Sequence, residues 1–313
     1  MNKTAKVAVC SRSFSTNSLL RDELLSRYCN VKFNDTGTKM EGDELIEFLK
    51  GSNMAITALE TIDSYVLSAL PELEVIGKYG VGLDMIDLNA MKKYNKRLGW
   101  TPGVNRRSVS ELTLALAIML LRRVNEANQL VRKGGWSQLK GRLLSEKTFG
   151  IIGCGNVGKD LIQLLHPFGC KIVVNDVLNY PEFYNEYNIQ PIALDELLIC
   201  SDVVSLHIPL IPTTINLMSA KKLSLMKPTS ILINTARGGL VDETMLFEML
   251  QEHRLGGAGF DVFSQEPPDN LRLLGLDNFI ATPHIGGSSS EAILAMGLAA
   301  IEGLESSSFI DDL

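Results

Sequence analysis

Short apolar runs alternate along the chain with stretches of helical periodicity, separated by Gly, Pro, Asn or Ser. In the first hundred residues the apolar runs are 6–10, 31–33, 54–57, 74–76 and 97–100. Helical patterns fall between them at 18–28, 42–50, 62–69 and 88–95. Strand-length runs joined by helix-length patterns predict βαβ units and a parallel sheet with helices on both faces. Thr101-Pro102-Gly103 interrupts the rhythm, and a long helix is predicted over 108–124. After Gly134-Gly135-Trp136 the alternation restarts, with strands at 148–152, 171–175, 203–206, 231–234, 257–262 and 279–281. An amphipathic helix over 290–305 closes the pattern.

The segment 112–121 within the long helix carries no charge. A helix that is apolar nearly all round is buried on more than one side. A subunit interface is preferred here over burial within one monomer.

Length and composition narrow the class. At roughly 150 residues per domain, 313 residues suggest about two domains. With 45% hydrophobic and 21% charged residues the chain is an ordinary globular protein, neither disordered nor collagen-like. A net charge of -6 argues against a nucleic-acid or anionic-membrane surface, since both need a basic patch. The longest stretch without charge, 203–220, is broken by Pro209 and Pro212 and is no membrane span. No signal peptide is read at the N-terminus. Five cysteines without paired spacing make a zinc site or disulfide framework unexpected, so no metal and a cytoplasmic location are expected.

The first chemical motif is Gly153-Cys154-Gly155-Asn156-Val157-Gly158. Three glycines in six residues mean little alone. Here they follow a predicted strand and open a predicted helix, the context a dinucleotide loop requires. Gly153 permits the tight turn, Gly155 lets backbone approach a pyrophosphate, and Gly158 allows close helix–strand packing. The helix N-terminus adds unpaired N–H groups and a positive dipole end. Asp176 lies 23 residues past Gly153, at the end of the next strand, where a carboxylate accepts hydrogen bonds from a ribose. Val177, Leu178 and Asn179 follow it without a cation, so a 2′-phosphate would meet unbalanced negative charge. NAD is preferred over NADP.

Three polar residues then fall just beyond three late strands: Arg237, Glu266 and His284. In an open α/β sheet, ligand crevices form at that edge. An Arg fork suits a carboxylate. A His beside a Glu can stay protonated and hand its proton to a developing alkoxide. Singly each reads as a loop cation, a solvated acid and a core histidine. Together, beside a dinucleotide loop, they read as one site. His166 and His253 fall outside it and read as structural or solvated.

Over nearly its whole length the chain resembles the D-isomer-specific 2-hydroxyacid dehydrogenase family. The resemblance is carried by Gly77-Lys78-Tyr79-Gly80-Val81-Gly82-Leu83-Asp84 and by residues 150–158, 204–210, 234–243, 257–263 and 282–288. It is strongest toward phosphoglycerate dehydrogenases without a regulatory extension, with hydroxypyruvate and glyoxylate reductases next. It implies two doubly wound parallel-sheet domains, a Rossmann cofactor domain inserted into a flavodoxin-like substrate domain. The substrate domain would comprise residues 1–101 and 286–313, the NAD domain 102–285. The activity implied is NAD-dependent interconversion of a small D-2-hydroxy acid and its 2-oxo acid by a homodimer.

Residue by residue, the resemblance makes Arg237 the carboxylate anchor, His284 the acid/base and Glu266 its partner. Asn156 and Val157 would contact the pyrophosphate and Asp176 the adenosine ribose. His207, Pro209 and Thr213 would line the adenine side. Thr235 and Ala236 would meet the nicotinamide half, with Asp261 on its carboxamide and Gly286 and Gly287 nearby. Backbone amides of Tyr79, Gly80, Val81 and Gly82 would contact substrate, with Asn105 at the entrance.

The departures concern substrate. Phosphoglycerate-specific members place arginines after the third strand of the first domain, where this chain reads Thr57-Ala58-Leu59-Glu60-Thr61. Lys78 could meet a phosphate, but no second cation is visible, which leaves unphosphorylated hydroxy acids open. The chain ends soon after Glu305, arguing against serine feedback. Two other classes compete. One is an NAD-sensing binding protein on the same fold, disfavoured by the missing partner-binding extensions. The other is a formate or phosphite dehydrogenase; formate dehydrogenases carry Gln where Glu266 stands.

Overall fold

A computed structural model describes residues 4–312. It divides into two compact units. One holds the residues up to Asn105 together with those from Ser288 onward, and the other is Arg106–Gly287.

The first unit is built on β1 (Lys6–Val9), β2 (Asn30–Phe33), β3 (Met54–Thr57), β4 (Val75–Lys78) and β5 (Arg97–Gly99). They lie in the order β5-β4-β3-β1-β2, all parallel, and the short strand Ser308–Phe309 joins β5 antiparallel. This is the doubly wound order of flavodoxin-like sheets. Alternate residues of β1 feed two cores. Val7 and Val9 pack with Phe14, Leu24 and Ile301 on one face, Ala8 with Leu45, Leu49 and Leu67 on the other. Such double burial is what a continuous apolar run means in a parallel sheet. The last helix, Ser290–Glu305, lies against β4 and β5. It comes so close that a Cβ on Gly99 would sit 2.1 Å from the Gly303 carbonyl oxygen, so side chains are excluded at that crossing.

The second unit contains β6 (Thr148–Ile152), β7 (Lys171–Asn175), β8 (Gln190–Pro191), β9 (Val203–Leu206), β10 (Ile231–Asn234), β11 (Gly257–Phe260) and β12 (Phe279–Ala281). The order is β12-β11-β10-β9-β6-β7-β8, again parallel. Counted from β6 this is the dinucleotide-binding 3-2-1-4-5-6 arrangement with one strand added. The strand order reverses between β6 and β9, and the crevice at that point opens beyond the carboxyl ends of the strands.

The elements differ from the sequence reading where local chemistry overrode periodicity. The helix expected over 62–69 starts at Ser64, because Ile62 bridges to Ile86 and Asp63 caps the helix, accepting from Val66 N at 3.0 Å. The helix expected over 108–124 runs Arg106–Leu121. Arg123 then takes a left-handed conformation, φ 53°, and a new helix, Val124–Arg132, begins. That helix was not anticipated and has no buried residue. In the preceding helix Val109, Thr113, Leu116, Ala117 and Leu121 form the buried face, at the i, i+4, i+7 spacing of a one-sided stripe. Within this chain, burial therefore takes one side of the uncharged segment.

Candidate active site

The glycine loop after β6 divides its glycines by task. Gly153 has φ 98°, and a Cβ there would lie 2.5 Å from the His207 carbonyl oxygen. A Cβ on Gly158 would lie 2.1 Å from the Gly153 carbonyl oxygen. Both positions are closed by backbone. A Cβ on Gly155, in contrast, would meet nothing within 4 Å. Gly155 also N-caps the helix Asn156–Leu165, with no side-chain hydrogen bond to the first-turn amides. Open amides, a dipole end and a face without side chain suit a pyrophosphate, so these residues fit a dinucleotide.

Asp176 braces the same loop. Its Oδ2 accepts from Cys154 N at 2.5 Å and its Oδ1 from Leu178 N at 2.8 Å. The carboxylate thus stands fixed beside the glycine turn, with Val177 fully exposed after it. His207 turns Nε2 onto the Ser205 hydroxyl, and burial pushes its pKa down to about 3, so the ring is neutral. In the next loop Thr214, one residue past the expected Thr213, does the visible work. Its hydroxyl accepts from Ile211 N at 2.8 Å and donates to the Pro209 carbonyl at 2.7 Å, while Pro209 and Thr213 are exposed.

Arg237 follows β10 on a turn stapled by Asn234. The Asn234 side chain accepts from Ala236 N at 3.1 Å and donates to the Arg237 carbonyl at 2.8 Å. The Arg237 guanidinium donates to the Ala236 carbonyl at 2.7 Å. Thr235 is buried and pairs its hydroxyl with that of Thr113 at 2.8 Å. Asn234 escaped the sequence reading. Its signal was an Asn ending an otherwise apolar strand, the residue type that folds its amide onto the backbone two or three positions on.

His284 has φ 55°, an uncommon conformation for a non-glycine residue. Its backbone N–H donates to the Asp261 carbonyl at 2.9 Å. The Asp261 side chain, 1% exposed, accepts from the Thr282 hydroxyl at 2.6 Å and from the amides of Ile285 at 2.8 Å and Gly286 at 2.7 Å. Asp261 therefore holds the loop that displays His284. His284 Nδ1 meets Glu266 Oε2 at 2.8 Å, and Glu266 Oε1 accepts from Phe263 N at 3.1 Å. The imidazole is oriented by a carboxylate that is itself oriented by backbone, and half of its surface remains open. This is the geometry of an acid/base with a positioning partner.

In the first unit the expected substrate residues separate. The Tyr79 amide is taken by the Thr57 carbonyl at 2.8 Å, so it extends the sheet and does not serve a ligand. Gly80, at φ 113°, begins the loop proper, and the Val81 carbonyl accepts from Trp100 Nε1 at 2.9 Å. Lys78 is 5% exposed and its ammonium donates to the Ala58 carbonyl, which removes it as a simple surface cation for phosphate. Asn105 ends this unit, half-buried. Among the described residues no cluster of three His, Cys, Asp or Glu could hold a metal, and no helix is long and apolar enough to cross a membrane.

Residues 114–286 match the family model described as "D-isomer specific 2-hydroxyacid dehydrogenase, NAD binding domain". A hydroxypyruvate reductase of Thermotoga maritima is 36% identical over 273 residues, 85% of this chain and 88% of that protein. A D-3-phosphoglycerate dehydrogenase of Methanocaldococcus jannaschii is 34% identical over 87% of this chain, which spans 52% of that longer protein. Among solved structures, the D-lactate dehydrogenase of Aquifex aeolicus, complexed with NAD and lactic acid, superposes with a TM-score of 0.84 at 28% identity, covering 96% of this chain and 94% of that one. The chain belongs to the D-isomer-specific 2-hydroxyacid dehydrogenase family, and so to the NAD-dependent oxidoreductases that act on the CH–OH group of 2-hydroxy acids.

Proposed function

We propose that Arg237, Glu266 and His284 form the catalytic group of this enzyme and that its substrate is a small D-2-hydroxy acid or the matching 2-oxo acid. The observation that carries the reading is the His284–Glu266 contact of 2.8 Å, on a loop pinned by buried Asp261. Gly153, Gly155, Asn156, Val157, Gly158 and Asp176 hold NAD, with His207, Pro209 and Thr213 toward the adenine. Thr235, Ala236, Gly286 and Gly287 serve the other end. When bound, NAD supplies or accepts the hydride at the substrate C2. Protonated His284 donates from Nε2 to the oxygen on which negative charge develops, while Glu266 on Nδ1 orients the ring. The Arg237 fork fixes the neighbouring carboxylate and draws electron density from the carbonyl. Gly80, Val81 and Gly82 present backbone amides to the substrate, with Asn105 at the entrance.

A homodimer in the cytoplasm completes the reading. The helix Val124–Arg132 buries nothing, and Val131 (52% exposed), Trp136 (87%) and Leu143 (56%) stand open on the segment around it. Helices draw most of their stability from a packed apolar face, so a second copy is the natural cover. Light scattering at micromolar concentration should give twice the mass of one chain. A panel of 2-oxo acids with NADH and NADPH, followed by absorbance, tests the activity. Turnover of glyoxylate, hydroxypyruvate or a relative with NADH is expected, whereas a preference for NADPH would contradict the role of Asp176.

A further inference from the structure

Glu266 is displayed on the least supported stretch of the site. Phe263, at the start of its loop, is buried, and its ring packs with those of Phe260 at 6.2 Å and Phe279 at 6.4 Å. Ser264, Gln265, Glu266 and Pro267 then run exposed, and among the described residues they make no backbone–backbone hydrogen bond. The loop is tied instead through two successive amides. Phe263 N is taken by Glu266 itself at 3.1 Å, a bond internal to the loop. Ser264 N donates to Oε1 of Glu243 at 2.8 Å. Among the described residues, that is the one hydrogen bond that reaches 264–267 from outside the catalytic group.

Glu243, in contrast, is firmly mounted. It is the first residue of the helix Glu243–Gln251, which Asp242 caps by accepting from Met245 N at 3.0 Å. Leu246, Phe247, Met249 and Leu250 bury that helix in the second unit. The segment leading into it is paired as well: Met218 N donates to the Leu240 carbonyl at 3.0 Å, and Asp242 N to the Met218 carbonyl at 3.1 Å. A carboxylate suits the first turn of a helix. The Arg237 turn lies against the same peptide that Glu243 holds. A Cβ on Gly238 would sit 1.8 Å from the Phe263 carbonyl oxygen and 2.5 Å from Ser264 N, so only glycine admits this crossing. The Phe263–Ser264 peptide is thus where the loop of Glu266 leans on the turn of Arg237. Asn234 already staples that turn, so of the two it is the loop that needs a holder.

We propose that Glu243 is a positioning residue for the reaction: by holding the Ser264 amide it keeps Glu266 Oε2 at hydrogen-bond reach of His284 Nδ1. The inference rests on the proposed function, in which Glu266 orients the proton donor. A bond to an ionised acceptor is stronger than a neutral one, and an exposed stretch without other ties has much conformational freedom to regain. Releasing Ser264 spreads the Glu266 carboxylate over positions from which it does not meet the imidazole. The dinucleotide loop follows β6, two strands away from β10 in the sheet, so the hold of Glu243 acts on proton transfer and not on cofactor affinity.

The test reads kcat for the member of the 2-oxo acid panel that the parent reduces fastest with NADH, beside NADH affinity by direct titration and the melting temperature. Glu243→Ala should lower kcat roughly 10-fold, the low end for a hydrogen bond to a charged group, with NADH affinity and melting temperature little changed. Glu243→Gln keeps an acceptor oxygen and should recover most of that loss. In a Glu266→Ala background, adding Glu243→Ala should cost about twofold at most, because a residue that acts through another adds little once that other is gone. Parent-like kcat in Glu243→Ala, a loss in Glu243→Gln equal to that in Glu243→Ala, or the full loss repeated in the Glu266→Ala background would each overturn the role of Glu243 while leaving the dehydrogenase reading intact. Absence of reduction by the parent across the panel would overturn the proposed function itself, and this inference with it.

Discussion

Each sheet carries polar groups at its own carboxyl edge, but the two edges hold them differently. In the second unit each displayed group is over-determined. Asn234 staples the Arg237 turn from two sides, Asp261 receives three donors from the loop of His284, and Glu266 is fixed by Phe263 N before it meets the imidazole. In the first unit buried Glu60 and Lys78 are held by the backbone of Ala58, and buried Lys96 by the Leu70 and Pro71 carbonyls. Groups that handle protons need fixed distances and a fixed neighbour, because proton transfer operates only at hydrogen-bond reach.

Substitutions at the edge of the second sheet should therefore fail to different degrees. The largest loss belongs to His284→Ala, which removes the proton donor and should lower kcat by about 10²–10⁴-fold with thermal stability little changed. Stopped-flow or steady-state reduction of a competent 2-oxo acid reads it directly. Arg237→Lys keeps the charge and loses the fork. About 10- to 100-fold in kcat/KM is expected, since a point cation cannot reproduce two parallel bonds. Asp261→Asn should cost less, near tenfold in kcat. The amide has one acceptor oxygen for three donors, and its NH2 would face N–H or O–H groups; an unmade buried hydrogen bond costs about 1–3 kcal/mol. A lower melting temperature should accompany that loss, which separates a loop holder from the residues it displays.

Much of this was legible in the sequence, for a physical reason in each case. The central strands of both sheets are short continuous apolar runs because both faces are buried, and the dinucleotide loop announces itself because Gly153 and Gly158 tolerate no side chain. Arg237, Glu266 and His284 could be read because the ends of parallel strands share an edge. What escaped depended on neighbours distant in sequence or on single-residue conformations. Nothing in the spacing showed that Asp261 would gather the 282–286 loop. The break at Arg123 and the unburied helix after it follow from one left-handed residue within an otherwise helical pattern. Lys78 read as a residue that could meet a phosphate because the Ala58 carbonyl, to which it donates, lies on the adjacent strand's exit. The one-turn helix Arg12–Ser15 was passed over because four residues have no periodicity to see.

The central claim is that Glu266 orients His284 for proton transfer, and the Glu266→Gln variant tests it most directly. Gln keeps the shape and can still accept from the Phe263 amide, but it then turns an NH2 toward Nδ1 that cannot accept the N–H of a proton-donating imidazole. In reduction of a competent 2-oxo acid kcat should fall by about 10- to 100-fold, with NADH affinity unchanged by direct titration. Equal kcat in both proteins would contradict the account and leave Glu266 as a loop acid without part in the reaction.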